Sequence, residues 1–128
     1  MTSDRTVQAA REQAMARVAA VWQGDADLGT LDELVTAGYV GHIGSRTRSL
    51  AELKRDISAY LESAQDVRFR LERRFAEGDY VASRWTAQGQ GPAGENLVAA
   101  GLNISRWDGD RLAEEWAVWE PLHPGSAD

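Results

Sequence analysis

The chain has 128 residues, 43% hydrophobic and 27% charged, which fits one globular domain with its own core. Its formal net charge of −6 argues against a nucleic-acid partner, because binding phosphates needs a basic face. The absence of cysteine excludes disulfides and thiol chemistry, and no apolar run approaches the ~20 residues of a membrane helix.

The chain is predicted to form a single domain over residues 1–128. The first half of this domain is predicted to be helical. Apolar residues recur at spacings of three and four from Val7 to Trp22, which predicts a first helix that Gly24 ends. A short second helix is predicted over residues 27–36. Ser49 and Glu52 have the spacing of a capping box, which predicts the start of a third helix.

Strands are predicted in the second half of the chain. From about residue 66, apolar residues recur at every second position, as is typical of a strand. Further strands are expected over residues 80–88, 97–107 and 111–120, the last two joined by a tight turn at Asp108-Gly109. This order predicts an α+β fold in which N-terminal helices close a curved antiparallel sheet into a cone with a central pocket. The core is expected at about residues 5–122 and a disordered tail at 123–128.

The alternation along each strand predicts which side chains face the pocket. The following residues are expected to face inward: Val81, Ser83, Trp85, Ala87, Val98, Ala100, Leu102, Ile104, Leu112, Glu114, Trp116, Val118 and Glu120. The opposite, flat face is expected to carry Ala99, Gly101, Asn103, Ser105, Trp107, Ala117 and Trp119. We expect this outer sheet face to form a homodimer; the alternative is an ordinary exposed surface.

Several segments resemble the SnoaL-like polyketide cyclases, which have the nuclear-transport-factor-2-like fold. They are residues 78–86, residues 101–112 and the acid–Trp–acid pattern of Glu114 (or Glu115), Trp116 and Glu120. The resemblance covers about residues 18–122. It departs from the family pattern in having Glu120 where Asp is usual, and in a short loop at residues 89–95 that lacks the family's histidine.

The resemblance implies an intramolecular aldol closure that needs no cofactor and no metal. If Glu120 projects into an apolar cone, burial raises its pKa toward that of a useful general acid/base. His42 or Tyr39 then holds the developing enolate oxygen. The expected partner is a hydrophobic small molecule, and the predicted binding residues are Tyr39, Tyr60, Trp85, Leu102, Trp116 and Val118.

Simpler interpretations of the same residues remain open. Glu120 can be a solvated residue at a strand end, His42 can hydrogen-bond backbone, and the tryptophans can be core. Glu114 and Glu115 are interpreted as one rim charge and one surface charge. No membrane or nucleic-acid partner is expected, and the polar N-terminus, without a secretory signal, favours a cytoplasmic location.

Three rival functions share this fold. One is a non-catalytic binding protein for a hydrophobic small molecule, and another is a dimerisation domain with a filled cone. An epoxide hydrolase of the limonene-epoxide type is less consistent with the sequence, because acids that it requires are absent at Thr86 and Val118.

Overall fold

The computed structural model describes residues 4–122, and the predicted tail at 123–128 lies outside them. The described helices are α1 (Asp4–Trp22), α2 (Leu31–Leu34), which follows a 3-10 helix (Leu28–Thr30), and α3 (Leu50–Ser63). The described strands are β1 (Val35–Ile43), β2 (Arg46–Arg48), β3 (Gln65–Glu77), β4 (Tyr80–Gln90), β5 (Asn96–Asp108) and β6 (Arg111–Leu122).

The strands form one curved sheet in the order β2-β1-β6-β5-β4-β3. β3 to β6 make the antiparallel meander expected from the hairpin turns. β1 pairs with β6 in parallel and with β2 antiparallel, so the sheet is mixed at one side. The predicted α+β fold is confirmed. The prediction of an antiparallel sheet is wrong at β1, which pairs with β6 in parallel.

The second helix is shorter than predicted. Its helical turns end at Leu34, and β1 begins at Val35. Val35 and Thr36 are β-branched, which favours extended backbone over helix. β1 then places Tyr39 and Gly41 next to β6, where Gly41 pairs with Glu115.

The long helices cover one face of the sheet, called the inner face here; the opposite face is the outer face. Met15 and Val21 of α1 and Ile57 of α3 pack in one core cluster with Val81 and Trp107 of the sheet. The predicted capping box is present, because the Ser49 side chain accepts from the Glu52 N–H and the Glu52 side chain accepts from the Ser49 N–H.

Arg11 fixes α1 to the ends of two hairpins. Its guanidinium is almost fully buried and donates to the backbone carbonyls of Gly78 and Gly109, in the β3–β4 and β5–β6 turns, and to Asp79. The helix is therefore held over the sheet by hydrogen bonds as well as by apolar contacts.

The predicted orientation of β4 is correct, and so is the inward position of Leu112 on β6. The predicted orientation of β5 is wrong, and that of β6 is wrong after Leu112. Directly paired residues share a face, and Ser83 and Trp85 pair with Asn103 and Gly101. The register between β5 and β6 also shifts where Arg106 pairs with Glu114 and Trp107 pairs with Leu112. This bulge puts Leu112 and Glu115 on the same face and reverses the alternation after Leu112.

The surface predicted to dimerise is therefore the inner face. Large apolar side chains such as Leu102 and Val118 lie on the outer face instead, where they are exposed. The prediction was wrong because it turned the more hydrophobic of the two sets of alternating β5 residues toward the interior. Strand pairing places the small residues there instead.

Candidate functional site

A cavity of about 430 Å³ lies between the inner face of the sheet, α1 and α3. Its walls come from α1, α3 and all six described strands. Its lining includes Met15, Val18, Trp22, Arg46, Arg48, Asp56, Tyr60, Phe69, Ser83, Trp85, Asn103, Ser105, Trp107, Glu115 and Trp119. This volume lies within the range typical of small-molecule sites.

Aromatic rings form one side of the cavity. Trp22 and Tyr60 meet edge-on with ring centroids 5.7 Å apart, and Phe69 lies 6.1 Å from Trp22. Phe69 also meets Trp119 edge-on at 5.6 Å. Edge and tilted contacts of this kind are the arrangements that aromatic pairs prefer, so the rings form one packed wall.

Glu115 is the centre of a polar cluster that also lines the cavity. Its Oε1 accepts a hydrogen bond from Asn103 Nδ2 at 2.6 Å. Its Oε2 accepts from the Tyr39 hydroxyl and from Arg48 Nη2, the latter at 3.3 Å. Glu115, Arg48 and Tyr39 are all buried, so the cluster is a charged group held within the protein.

Arg48 extends the cluster toward the solvent. Its Nε donates to the Tyr39 hydroxyl at 3.1 Å, and its Nη1 donates to Asp56 at 3.2 Å. Asp56 also accepts from Arg46 at 3.0 Å. The Arg48 guanidinium lies 5.7 Å from the Trp22 ring centroid, so the cation also contacts the aromatic wall.

Burial changes the acid–base behaviour of this cluster. Desolvation, reinforced by the negative charge of Glu115, raises the pKa of the Tyr39 phenol well above its usual value. Desolvation lowers the pKa of Arg48, but the effects of Tyr39 and Glu115 outweigh it and raise the pKa overall. Tyr39 is thus a neutral donor and Arg48 a permanent cation.

Two glycines make room for the site. A Cβ on Gly41 would collide with the Tyr39 hydroxyl and touch the Arg48 side chain at 3.0 Å. A Cβ on Gly101 would run into the Trp119 ring, which lies across β5 at this point. A larger residue at either position would displace a group that lines or supports the cavity.

The structure brings some of the predicted site residues to the cavity. Tyr60 and Trp85 lie in its wall. Tyr39 is buried behind Glu115 and reaches the site through the hydrogen bond that it donates. Whether these residues contact a ligand stays a prediction.

The remaining predicted residues lie elsewhere. Leu102, Trp116 and Val118 are on the outer face, and Glu120 is exposed at the end of β6, so the expectation that they face the pocket is wrong. The bulge in β6 places every later residue of this strand on the face opposite to the predicted one.

His42 is also on the outer face. It stacks on Trp116 with ring planes 7° apart, and its Nε2 is 2.8 Å from Glu114 Oε2. This hydrogen bond is the main cause that lowers the Glu114 pKa. The hypothesis that His42 lies across the cavity from Glu120 is therefore wrong.

Sequence reasoning missed the central residues of the cluster. The sequence alone predicts Glu115 as a rim or surface charge and places Asn103 on the outer surface. Following the β4–β5 pairing from Trp85 would have placed both on the inner face, through the Ser83–Asn103 and Ser105–Glu115 pairs. Arg48 belongs to no motif, and only the folding of β2 against β1 brings it to Glu115.

A helix-covered, curved sheet around one cavity with a polar end and an aromatic side is a cone-shaped α+β protein of the nuclear-transport-factor-2-like class. The family model for SnoaL-like polyketide cyclases matches residues 12–124. The chain belongs to this family. The resemblance read from the sequence is confirmed.

Solved structures share the architecture at low sequence identity. IdmH of Streptomyces antibioticus, provisionally assigned as a polyketide cyclase, is 22% identical over 86% of this chain and 91% of its own, with a TM-score of 0.75. AclR of Streptomyces galilaeus, provisionally assigned as a hydroxylase, is 20% identical over 88% and 79%, with a TM-score of 0.76. TsrD of Streptomyces laurentii is 19% identical over 93% and 92%, with a TM-score of 0.77.

Comparison with curated proteins finds no match. Within residues 4–122, no helix combines the length and apolar character needed to cross a bilayer.

Proposed function

We propose that this protein binds a hydrophobic, ring-containing carbonyl compound and moves a proton on it, with Glu115 as the general acid/base. The observation that carries the proposal is the position of the Glu115 carboxylate. It is buried at the wall of a largely apolar cavity that aromatic rings also line. Such a site favours an apolar ligand with one polar group.

The hydrogen bonds of Glu115 leave it able to react. Each carboxylate oxygen accepts about two hydrogen bonds. Oε2 is saturated by Tyr39 and Arg48, whereas Oε1 accepts from Asn103 and keeps a second lone pair. Oε1 is therefore the atom assigned to take a proton, while Tyr39 and Arg48 hold the carboxylate in position.

The proposed reaction balances without an added reagent. Glu115 Oε1 takes a proton from the carbon next to the substrate carbonyl, which gives an enolate and a protonated Glu115. The enolate carbon attacks a second carbonyl of the same molecule, and a C–C bond forms. The resulting alkoxide recovers the proton from Glu115, which completes an intramolecular aldol closure; return of the proton to a different carbon gives isomerisation instead.

Developing negative charge on the substrate oxygen needs hydrogen-bond donors nearby. Asn103 uses one of its two amide protons on Glu115 and has a second to offer. Arg46 at the cavity wall adds a cation that is half exposed. These two side chains are assigned the stabilisation of the enolate oxygen.

Proton transfer can be tested with 2-tetralone, a small ketone fused to an aromatic ring. In D₂O, the wild-type protein should accelerate deuterium incorporation next to the carbonyl, as followed by NMR. Glu115→Gln should lower this rate about 10²- to 10⁴-fold, the usual contribution of a general base. Glu62→Gln, the same change at an exposed residue at the end of α3, should leave the rate unchanged.

A second candidate function is a non-catalytic binding protein for the same class of ligand. The observation that favours it is that Glu115 already receives three hydrogen bonds, as expected of a fixed recognition group. Quenching of tryptophan fluorescence by 2-tetralone without any exchange above the Glu115→Gln rate would support binding and contradict catalysis.

A further inference from the structure

Two serine–tryptophan pairs with the same spacing lie on the neighbouring strands β4 and β5. On β4, the Trp85 indole N–H donates to the Ser83 hydroxyl oxygen at 3.0 Å. On β5, the Trp107 indole N–H donates to the Ser105 hydroxyl oxygen at 2.8 Å. Both serines are buried and line the cavity. The two hydroxyls therefore occupy matched positions, and their remaining hydrogen bonds can be compared.

The two serines differ in what their own hydroxyl hydrogens bind. Ser105 donates to the backbone carbonyl of Val81 at 3.2 Å. Ser83 accepts from its tryptophan, but no group within residues 4–122 accepts a hydrogen bond from its hydroxyl. A buried donor without an acceptor is unfavourable, so such groups usually have a partner. Because Ser83 is only 5% exposed, that partner has to enter the cavity.

A second unused donor lies beside Ser83. Asn103 pairs directly with Ser83 in the sheet. One amide hydrogen of Asn103 binds Glu115 Oε1, and the other is free. The Cβ atoms of directly paired residues lie roughly 4.5–5.5 Å apart. The cavity thus offers two hydrogen-bond donors at about one strand spacing, next to the Glu115 carboxylate.

We propose that Ser83 is a ligand-binding residue, whose hydroxyl donates a hydrogen bond to a second oxygen of the bound compound. The inference rests on the proposed function, in which Asn103 binds the first oxygen. It narrows the ligand to ring compounds with two oxygen acceptors about 5 Å apart, such as a dione. A compound with one oxygen leaves the Ser83 hydroxyl unpaired, and a site built to donate a hydrogen bond discriminates against such a compound.

Two compounds that differ by one oxygen test the proposal. They are 2,2-dimethyl-1,3-indandione, with two carbonyls, and 2,2-dimethyl-1-indanone, with one. Isothermal titration calorimetry of the wild-type protein should show about fivefold tighter binding of the dione, the usual effect of one hydrogen bond between uncharged groups. Ser83→Ala should remove this preference. Ser105→Ala is the matched control, because it also leaves an indole N–H unpaired, and it should keep the preference.

Ser83→Cys is a second variant, which keeps an acceptor for Trp85 but has only a weak donor, so it should also lose most of the preference. Equal wild-type affinities for the two compounds, a preference that Ser83→Ala retains, or no binding of either compound would overturn the proposal.

The binding test is independent of the chemistry assigned to Glu115. Neither compound has a hydrogen on a carbon next to a carbonyl, so binding is measured without proton transfer. A preference lost in Ser83→Ala, together with no exchange of 2-tetralone, would support the Ser83 subsite and contradict catalysis by Glu115. Exchange that depends on Glu115, together with equal affinities, would contradict the subsite alone.

Discussion

The two faces of the sheet differ in the opposite sense to that expected if the larger hydrophobic side chains faced the interior. On β5, the inner face presents small side chains, Ala99, Gly101, Asn103 and Ser105, and the outer face presents larger ones such as Leu102 and Ile104. On the inner face, small residues leave room for a cavity and for the Trp119 ring. The part of β5 that borders the cavity therefore carries small and polar residues, and most of the aromatic wall comes from other elements, such as Trp22 of α1 and Phe69 of β3.

The charged groups differ between the faces as well. The Glu115–Arg48 pair on the inner face is buried and tied to Tyr39 and Asn103. The outer-face charges are mostly solvated, as with Arg70, whose side chain is 81% exposed. Charges of the first kind should matter for stability, whereas those of the second kind should contribute little to it.

The largest expected effect comes from removing the buried cation. Arg48→Leu leaves Glu115 buried without its charge partner, so the free energy of unfolding should fall by about 3–5 kcal/mol. Arg46→Leu, which removes a half-exposed cation from the same Asp56, should cost no more than about 1 kcal/mol. Urea denaturation measures both, and equal costs would show that the inner cluster is not energetically distinct.

Two valines on opposite faces of the sheet allow the effect of burial on stability to be compared. Val81 is fully buried on the inner side of β4, and Val118 is 60% exposed on the outer side of β6. Val81→Thr buries a hydroxyl and should destabilise the fold by about 1–3 kcal/mol. Val118→Thr should change the stability by no more than about 0.5 kcal/mol when unfolding is measured in dilute protein. The opposite ranking would mean that the faces are assigned the wrong way round.

The close approach at Gly41 can be tested against another glycine of β1. Gly41→Ala forces a methyl group against Tyr39 and Arg48 and should cost about 1–3 kcal/mol. Gly38→Ala meets no atom within 4 Å and should be neutral or slightly stabilising. Thermal unfolding of the two variants gives the comparison, and a neutral Gly41→Ala would show that the cluster tolerates displacement.

The smallest effect concerns pH. The unfolded Tyr39 ionises near pH 10, whereas burial raises its pKa in the folded protein. Stability should therefore be unaffected by Tyr39 below about pH 10 and should fall above it, by up to about 1.4 kcal/mol per pH unit. Tyr39→Phe should make this decline shallower in denaturation at about pH 8 and about pH 11; parallel declines would show that the phenol ionises normally.

The fold was largely predictable because its signals are local. The capping box at Ser49 and the turn at Asp108-Gly109 each specify an element from a few adjacent residues. The family motifs at residues 78–86 and 101–112 added the cone shape. β1 and β2 were harder, because a parallel partner distant in the sequence, β6, completes their pairing.

The site was less predictable because it depends on register. One extra residue in β6, at the shift between the Arg106–Glu114 and Trp107–Leu112 pairs, decides whether Glu114 or Glu115 faces the cavity. Arg48 reaches Glu115 from 67 residues away in sequence, and no local pattern indicates that contact. The strand alternation and the family's acid–Trp–acid pattern predicted Glu120 and Trp116 instead, and both lie outside the cavity.

The tryptophans provide the most direct test, because four of the five line the cavity, namely Trp22, Trp85, Trp107 and Trp119, and Trp116 lies on the outer face. Each indole N–H gives a separate signal in a ¹⁵N correlation spectrum. On addition of 2-tetralone, the signals of the cavity tryptophans should shift while that of Trp116 stays in place. A shift of Trp116 with the other four unchanged would contradict the inner face as the binding site.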